Sequence, residues 1–252
     1  MFRYIFGGKV LPERVDFSLT PHEIEATTSE RSNFKLKLSI QRSQIFIELN
    51  SETEFQDIPT LRNGILDFVR QYTDIFGYLK GYGYDVEITS VILPNNEHII
   101  FGVQIPELET DALNRPVQDY PRLVELTNNL RYYALRLALT DLNLSVKYPK
   151  DTGVFCYRAI ESIMQFFNEG DPADSESRKR AWESLSRKLR ISVNWIRMVK
   201  ESALNPRHGA PTPLTGDERV EIMKHTWQII DRFILFLKNN EQDLDSSTYS
   251  EL

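Results

Sequence analysis

A guanidinium beside an imidazole can hold a phosphodiester and move a proton near neutral pH, and Asn205-Pro206-Arg207-His208-Gly209 sets that pair side by side. Those are the two tasks of metal-free RNA cleavage, where the RNA supplies its own 2′-hydroxyl as nucleophile. The same residues have a structural reading. Asn205 and Gly209 would end a helix, and Arg207 and His208 would face its exposed carbonyls and negative dipole end. Just upstream, residues 175–200 carry Arg178, Lys179, Arg180, Arg187, Lys188, Arg190, Arg197 and Lys200 against only Glu176 and Glu183. In this stretch Lys188, Arg190, Arg197 and Lys200 would position a phosphate backbone, or else belong to a solvated helix face.

Other chemistries lack their residues. The four histidines, His22, His98, His208 and His225, show no HxxxH or HExxH spacing, so no metal site is expected. His98 falls in a strand pattern, and His225, two positions after the apolar Met223, is expected to face solvent. Gly77, Gly81 and Gly83 follow a helical pattern, the wrong context for cradling phosphate, and no nucleotide cofactor is expected. Cys156 lies near an apolar helical stripe and reads as a buried structural thiol. As the single cysteine it excludes an internal disulfide and points to a reducing, cytoplasmic compartment. Across 252 residues, 41% apolar and 26% charged with net charge −6, the composition is that of an ordinary globular protein, and no apolar run is long enough to span a bilayer.

The elements that must position these residues fall into two halves. Residues 2–6 and 14–19 read as short strands around a turn or bulge at Gly7 and Gly8. Phe34, Leu36, Leu38 and Ile40 alternate with polar residues, and Ile45, Ile47 and Leu49 continue the pattern after Gln41, Arg42 and Ser43, which predicts an antiparallel hairpin. Leu61, Ile65, Phe68, Tyr72, Ile75 and Leu79 step by three and four, a helix ended by Gly81 and Gly83. Residues 84–93 and 97–105 read as a second hairpin around Pro94, Asn95 and Asn96. Residues 1–105 are therefore an α+β module, an antiparallel β-rich unit with one helix. Residues 106–118, with two prolines and the acids Glu107 and Glu109, read as a linker.

From 119 to 240 the pattern is helical. Leu123, Leu126, Leu130, Tyr133 and Leu137 predict one long helix over roughly 120–146, whose seam must pack on a partner. Phe155, Ala159, Ile163 and Phe166 mark a second helix, and Trp182, Leu185 and Leu189 a third. A fourth starts at an N-cap, Ser192, and runs to Ala203; Asn205, Pro206 and Gly209 close it, with Pro211 and Pro213 behind. Thr215 and Glu218 have capping-box spacing before a last helix through Val220, Met223, Trp227, Ile230, Ile234 and Leu237. Residues 241–252 form a polar, acidic tail expected to fray. The second half reads as an all-α bundle of about five elements.

The helix order over about residues 118–240, with LNPRHG late and IIDRFILFLKNN in the last helix, resembles the HEPN superfamily of helical domains. Many of its members are metal-independent RNases that work as dimers, pairing two copies of an Arg-x4-6-His motif across a cleft. Others are non-catalytic interaction modules in defence or toxin–antitoxin systems. The positions that the motif reserves for arginine, counted back from His208, are Ala203, Ser202 and Glu201 here. The resemblance thus carries over to His208 alone, with Arg207 as a substitute phosphate ligand. It implies a homodimer and either an RNA-associated or a protein-interaction module, non-catalytic or weakly catalytic, in bacterial stress or phage defence. It leaves open an endoribonuclease using His208 as acid or base, and a dimeric scaffold. The N-terminal module is the part expected to choose a protein partner.

Overall fold

A computed structural model describes residues 1–27, 33–102, 108, 117–210 and 214–252. Of the expected linker 106–118 only Leu108, Val117 and Gln118 are among them; Glu107, Glu109, residues 103–105, Pro211 and Pro213 lie outside. The chain divides into two compact units, Met1–Val103 and Gln104–Leu252. The first holds an antiparallel sheet and the second a set of helices, an α+β protein.

The sheet has six strands in the order β2-β3-β4-β1-β5-β6. They are β1 (Phe2–Leu11), β2 (Leu19–Thr27), β3 (Asn33–Gln41), β4 (Gln44–Ser51), β5 (Asp85–Ile92) and β6 (His98–Ile100). Alternation buries Tyr4, Phe6, Leu36, Leu38, Ile45, Ile47 and Ile88 on one face. Helix α1 (Ile58–Lys80) covers that face with Ile65, Leu66 and Val69. Asp57 caps it by accepting the Thr60 N–H, and Gly81, at φ 67°, ends it.

One expectation for the first unit holds in part and one is corrected. β1 runs unbroken through Gly7 and Gly8 with no turn, and the other alternative read there, a bulge, is present as a register shift against β5, where Gly7 faces Ser90 and Gly8 faces Ile88. A Cβ on Gly8 would lie 2.3 Å from the Glu87 carbonyl oxygen, so only glycine admits this approach. The strand expected over 14–19 is displaced: a 3-10 turn (Glu13–Val15) leads to Asp16 at φ 51°, residues 14–18 are not in a strand, and β2 starts at Leu19. The expected β3–β4 hairpin is present. Arg42 and Ser43, at φ 48° and 63°, form its two-residue turn. Ser43 is buried and its polar groups are bonded: its N–H donates to the Phe17 carbonyl at 2.7 Å, its Oγ accepts the Phe17 N–H at 3.0 Å and donates to the Glu13 carbonyl at 3.4 Å, and its carbonyl accepts the Val10 N–H at 2.8 Å.

The second unit contains α2 (Tyr120–Asn128), α3 (Tyr133–Lys147), α4 (Thr152–Phe166), α5 (Ser175–Leu189), α6 (Val193–Arg207) and α7 (Gly216–Lys238). Helix α4 is central, touching α3, α5, α6 and α7, and buries Cys156, Ala159, Ile160 and Ile163. The long helix expected over 120–146 is broken. Asn129 adopts an extended conformation at ψ 118°, and its side chain accepts the Arg131 N–H at 3.0 Å, which restarts the chain through a 3-10 turn (Leu130–Tyr132) into α3. The caps read at Ser192, Thr215 and Glu218 form as expected.

Helix α6 can come close to α4 because residue 153 is glycine. A Cβ there would stand 2.6 Å from Ser202 Oγ and 2.7 Å from the Ser202 carbonyl oxygen. Gly153→Ala must push α6 away from α4 or distort its last turns, and overpacking of this kind costs about 1–3 kcal/mol. A lowered midpoint in urea denaturation of the full chain checks this; an unchanged midpoint would show that the contact gives way freely.

Candidate functional site

The last turn of α6 carries the residues singled out by type. Pro206 lies inside it, and Ala210 N–H donates to the Asn205 carbonyl at 3.0 Å while Gly209 N–H donates to that of Pro206 at 3.1 Å. With Gly209 at φ 76°, these bonds form a Schellman motif. Asn205 and Gly209 therefore do what the structural reading expected: they end the helix, Asn205 through its carbonyl.

Arg207 does not turn back to those carbonyls. Its Nη1 lies 3.5 Å from Glu161 Oε2, and its guanidinium stands 5.5 Å from the centre of the Tyr157 ring. Glu161 also meets Arg178 Nη2 at 3.7 Å, so one carboxylate sits between two arginines. Tyr157 in turn stacks on Trp182, with ring centres 6.1 Å apart and planes 11° from parallel. Burial, with Glu161 beside it, raises the Tyr157 hydroxyl above the ordinary tyrosine range. Arg207 thus stands over an aromatic ring with an acid at ion-pair distance, while its side chain stays 47% exposed. His208 is exposed at the helix cap, and no described side chain joins it to Arg207 in one constellation.

The basic stretch is divided rather than gathered into one groove. Arg178 pairs with Glu161, Arg187 with Asp243, and Arg180 donates to Ser177 Oγ at 3.0 Å. Lys188 lies 5.9 Å and 5.8 Å from the Phe167 and Phe236 ring centres, and Arg190 Nε donates to the Tyr249 carbonyl at 3.1 Å. Of the eight, Lys179 on α5 and Arg197 and Lys200 on α6 stand exposed without these engagements among the described residues. The tail expected to fray packs instead against the end of α5, with Leu244 buried.

Sequence reasoning missed the partners of Arg207. Tyr157 and Glu161 are four apart on α4, and Arg178 and Trp182 four apart on α5, the spacing that puts each pair on one helical face. It also misplaced the α2–α3 seam. Leu126 is buried, but Leu130, Tyr133 and Leu137 are exposed, while Leu135, Ala138 and Leu142 fill the core. Beside the exposed row lies an open groove of about 440 Å³ lined by Arg131, Tyr133, Ala134, Leu137, Arg158 and Phe166 among others. Arg158 is tied down on its floor side by the buried carboxylate of Asp141, at 2.9 Å through Nε.

Two smaller expectations are also settled. Cys156 is buried and its thiol is pushed up to about 11 by loss of solvent, so it is protonated at neutral pH and inert as a nucleophile. His225 is half-buried rather than turned out to solvent: its ring centre lies 3.9 Å from that of Trp195, and its Nδ1 is buried without a hydrogen-bond partner among the described residues. No group of three or more His, Cys, Asp or Glu among the described residues gathers to hold a metal ion, and none of their helices is long and apolar enough to cross a membrane.

The geometry defines a two-unit α+β protein, a one-sided sheet followed by a helical bundle with a groove of mixed apolar and charged lining open on its surface. Residues 4–101 match the family model described as the N-terminal domain of the domain of unknown function DUF8168, and residues 120–238 match its C-terminal domain. The chain belongs to the DUF8168 family. No curated protein and no solved structure matches it.

Burial lowers the His225 pKa below the ordinary imidazole value, against a smaller opposing pull from Glu221. A base with a lowered folded pKa gives stability that is complete above its unfolded value, about 6.5, and is lost as pH falls toward the folded value. The thermal midpoint is therefore expected to drop between pH 7.5 and 5 by more in the wild type than in His225→Phe. Parallel pH profiles for the two proteins would remove His225 from the account.

Proposed function

We propose that this chain is a non-catalytic interaction module whose helical unit pairs with a second copy along α2 and α3. The observation that carries the reading is the row Leu130, Tyr133 and Leu137, which are 88%, 51% and 37% exposed beside a groove walled by Ala134 and Phe166. Single exposed apolar side chains are ordinary, whereas a row continuous with a groove is of the kind that meets a partner. Arg131, Arg158 and Glu161 line the groove, each paired within the chain, so both signs of charge are present around it, which is compatible with a self-complementary two-fold contact. The resemblance to HEPN domains supports the same choice, since its non-catalytic members act as interaction modules, and it would place the protein in bacterial stress or phage defence. The N-terminal unit is then the part that selects a protein partner, and the free, buried Cys156 suits a cytoplasmic location.

Catalysis is the second reading, kept for one observation: His208 is exposed at a fixed helix end. Against it stand the engagement of Arg207 by Glu161 and the absence of arginine at positions 201–203.

Sedimentation velocity at concentrations up to about 100 μM, the weak end of specific association, tests the pairing. The wild type is expected to dimerise, and Leu137→Glu to remain monomeric with an unchanged circular dichroism spectrum. A wild type that stays monomeric throughout overturns the reading. RNA incubated with the wild type in EDTA should stay intact; cleavage that His208→Ala abolishes would restore the endoribonuclease.

A further inference from the structure

After α7 the chain carries Glu241, Asp243, Asp245 and Glu251 with no lysine or arginine. This segment lies along the end of α5, the N-cap of α6 and the flank of α7. Leu244 N–H donates to the Lys188 carbonyl, Leu252 N–H to that of Arg190, and Ser192 N–H to that of Leu252, each at 3.0 Å. Arg131 Nε reaches Glu241 at 2.7 Å, Arg187 pairs with Asp243, and Arg232 Nη2 donates to the Ser250 carbonyl at 3.0 Å. Arg190 does the same to Tyr249, so four arginines each take a partner from this one segment. Lys188 adds a charge that helps hold the Glu241 carboxyl below its ordinary range, after the larger effect of Arg131. Arg232 Nη1 is buried without a partner among the described residues, so the segment does not exhaust the donors beneath it.

These contacts are of the kind by which a folded surface recognises an extended acidic peptide. Main-chain bonds set the path, carboxylates meet guanidinium groups, and an aliphatic side chain, Leu244 at 4% exposure, enters the core. The segment itself contains no helix or strand. Its Arg187–Asp243 pair is 64% and 48% exposed, and such pairs hold weakly. The family match ends at residue 238, the last residue of α7, so the face belongs to the shared helical unit and its occupant lies beyond it.

We propose that Arg131, Arg187, Lys188, Arg190 and Arg232 form a binding face for acidic peptide segments with an aliphatic anchor, and that residues 241–252 occupy it as an exchangeable strap. A tethered occupant competes at an effective concentration in the millimolar range, so a free peptide meets a largely closed face until the strap is released. This face shares Arg131 with the rim of the α2–α3 groove but not the row Leu130, Tyr133 and Leu137, and its other members, Arg187, Lys188, Arg190 and Arg232, take no part in the pairing of two copies.

The probe is a fluorescein-labelled peptide of residues 239–252, titrated into the full chain. Leu244→Asp removes the anchor, and the folded variant is expected to bind the peptide at least about tenfold more tightly than the wild type. Binding should weaken between about 0.1 and 1 M salt, as charge pairing requires, and be lost when Arg187→Ala and Arg190→Ala are added. Equal binding by the folded Leu244→Asp variant and the wild type overturns the proposal. Should that variant unfold, hydrogen exchange of the unaltered chain decides. The Leu244 and Leu252 amides are expected to exchange at least about a hundredfold faster than the core amides of α4, and equal rates overturn the exchangeable strap. A single-stranded RNA that displaces the peptide and binds the released face more tightly assigns the face to nucleic acid and overturns the peptide.

Discussion

The contact between α4 and α6 at Gly153 decides what the C-terminal unit can do. Without a side chain at that position, Ser202 comes against the α4 backbone, and the following turn delivers Arg207 to Tyr157 and Glu161 on the same helix. The Schellman motif then stops the chain at His208 and Gly209. A guanidinium so placed is already serving an acid and a ring. The arginine and the histidine are neighbours in sequence, but one is taken up by α4 and the other is left at the cap.

Much of the fold was legible because it depends on local physics. Alternation in β3 and β4, the three-four period of α1, and the caps at Gly81, Ser192 and Thr215 all act within a few residues. What was not legible depends on contacts that no local window contains. β2 was missed because Pro21 and alternating charges weaken its strand pattern; its pairing with β3, where the register shifts between Leu19 and His22, secures it as an edge. On α1 the three-four count led from Tyr72 to Ile75, whereas the buried stripe continues through Thr73 and the packed Phe76, leaving Ile75 and Leu79 exposed. A difference of one position on a helix is about 100°, enough to exchange core for solvent.

The same limit governs the candidate site. A basic run of eight cations in 26 residues looks like a polyanion surface when only neighbours are counted. The partners of Arg187 and Arg131 stand 56 and 110 residues away in the chain, and Arg207 finds its acid on another helix. Local charge therefore identified the segment as unusual and left two uses open, a phosphate surface and a solvated face, because pairing is settled by the fold. The break at Asn129 is similar: the apolar spacing continued across it, and only one side-chain acceptor and one extended residue turned a seam into an outer surface.

The rims of the sheet have a further consequence. One rim is β2, interrupted by Pro21 and its irregular register, and the other is β6, only three residues long. A rim that lacks a regular row of free amide and carbonyl groups is a poor template for another chain, which guards against growth into fibres. An assembly of this unit that avoids these rims is built by side chains, and its specificity can then be altered by point substitution without touching the ladder.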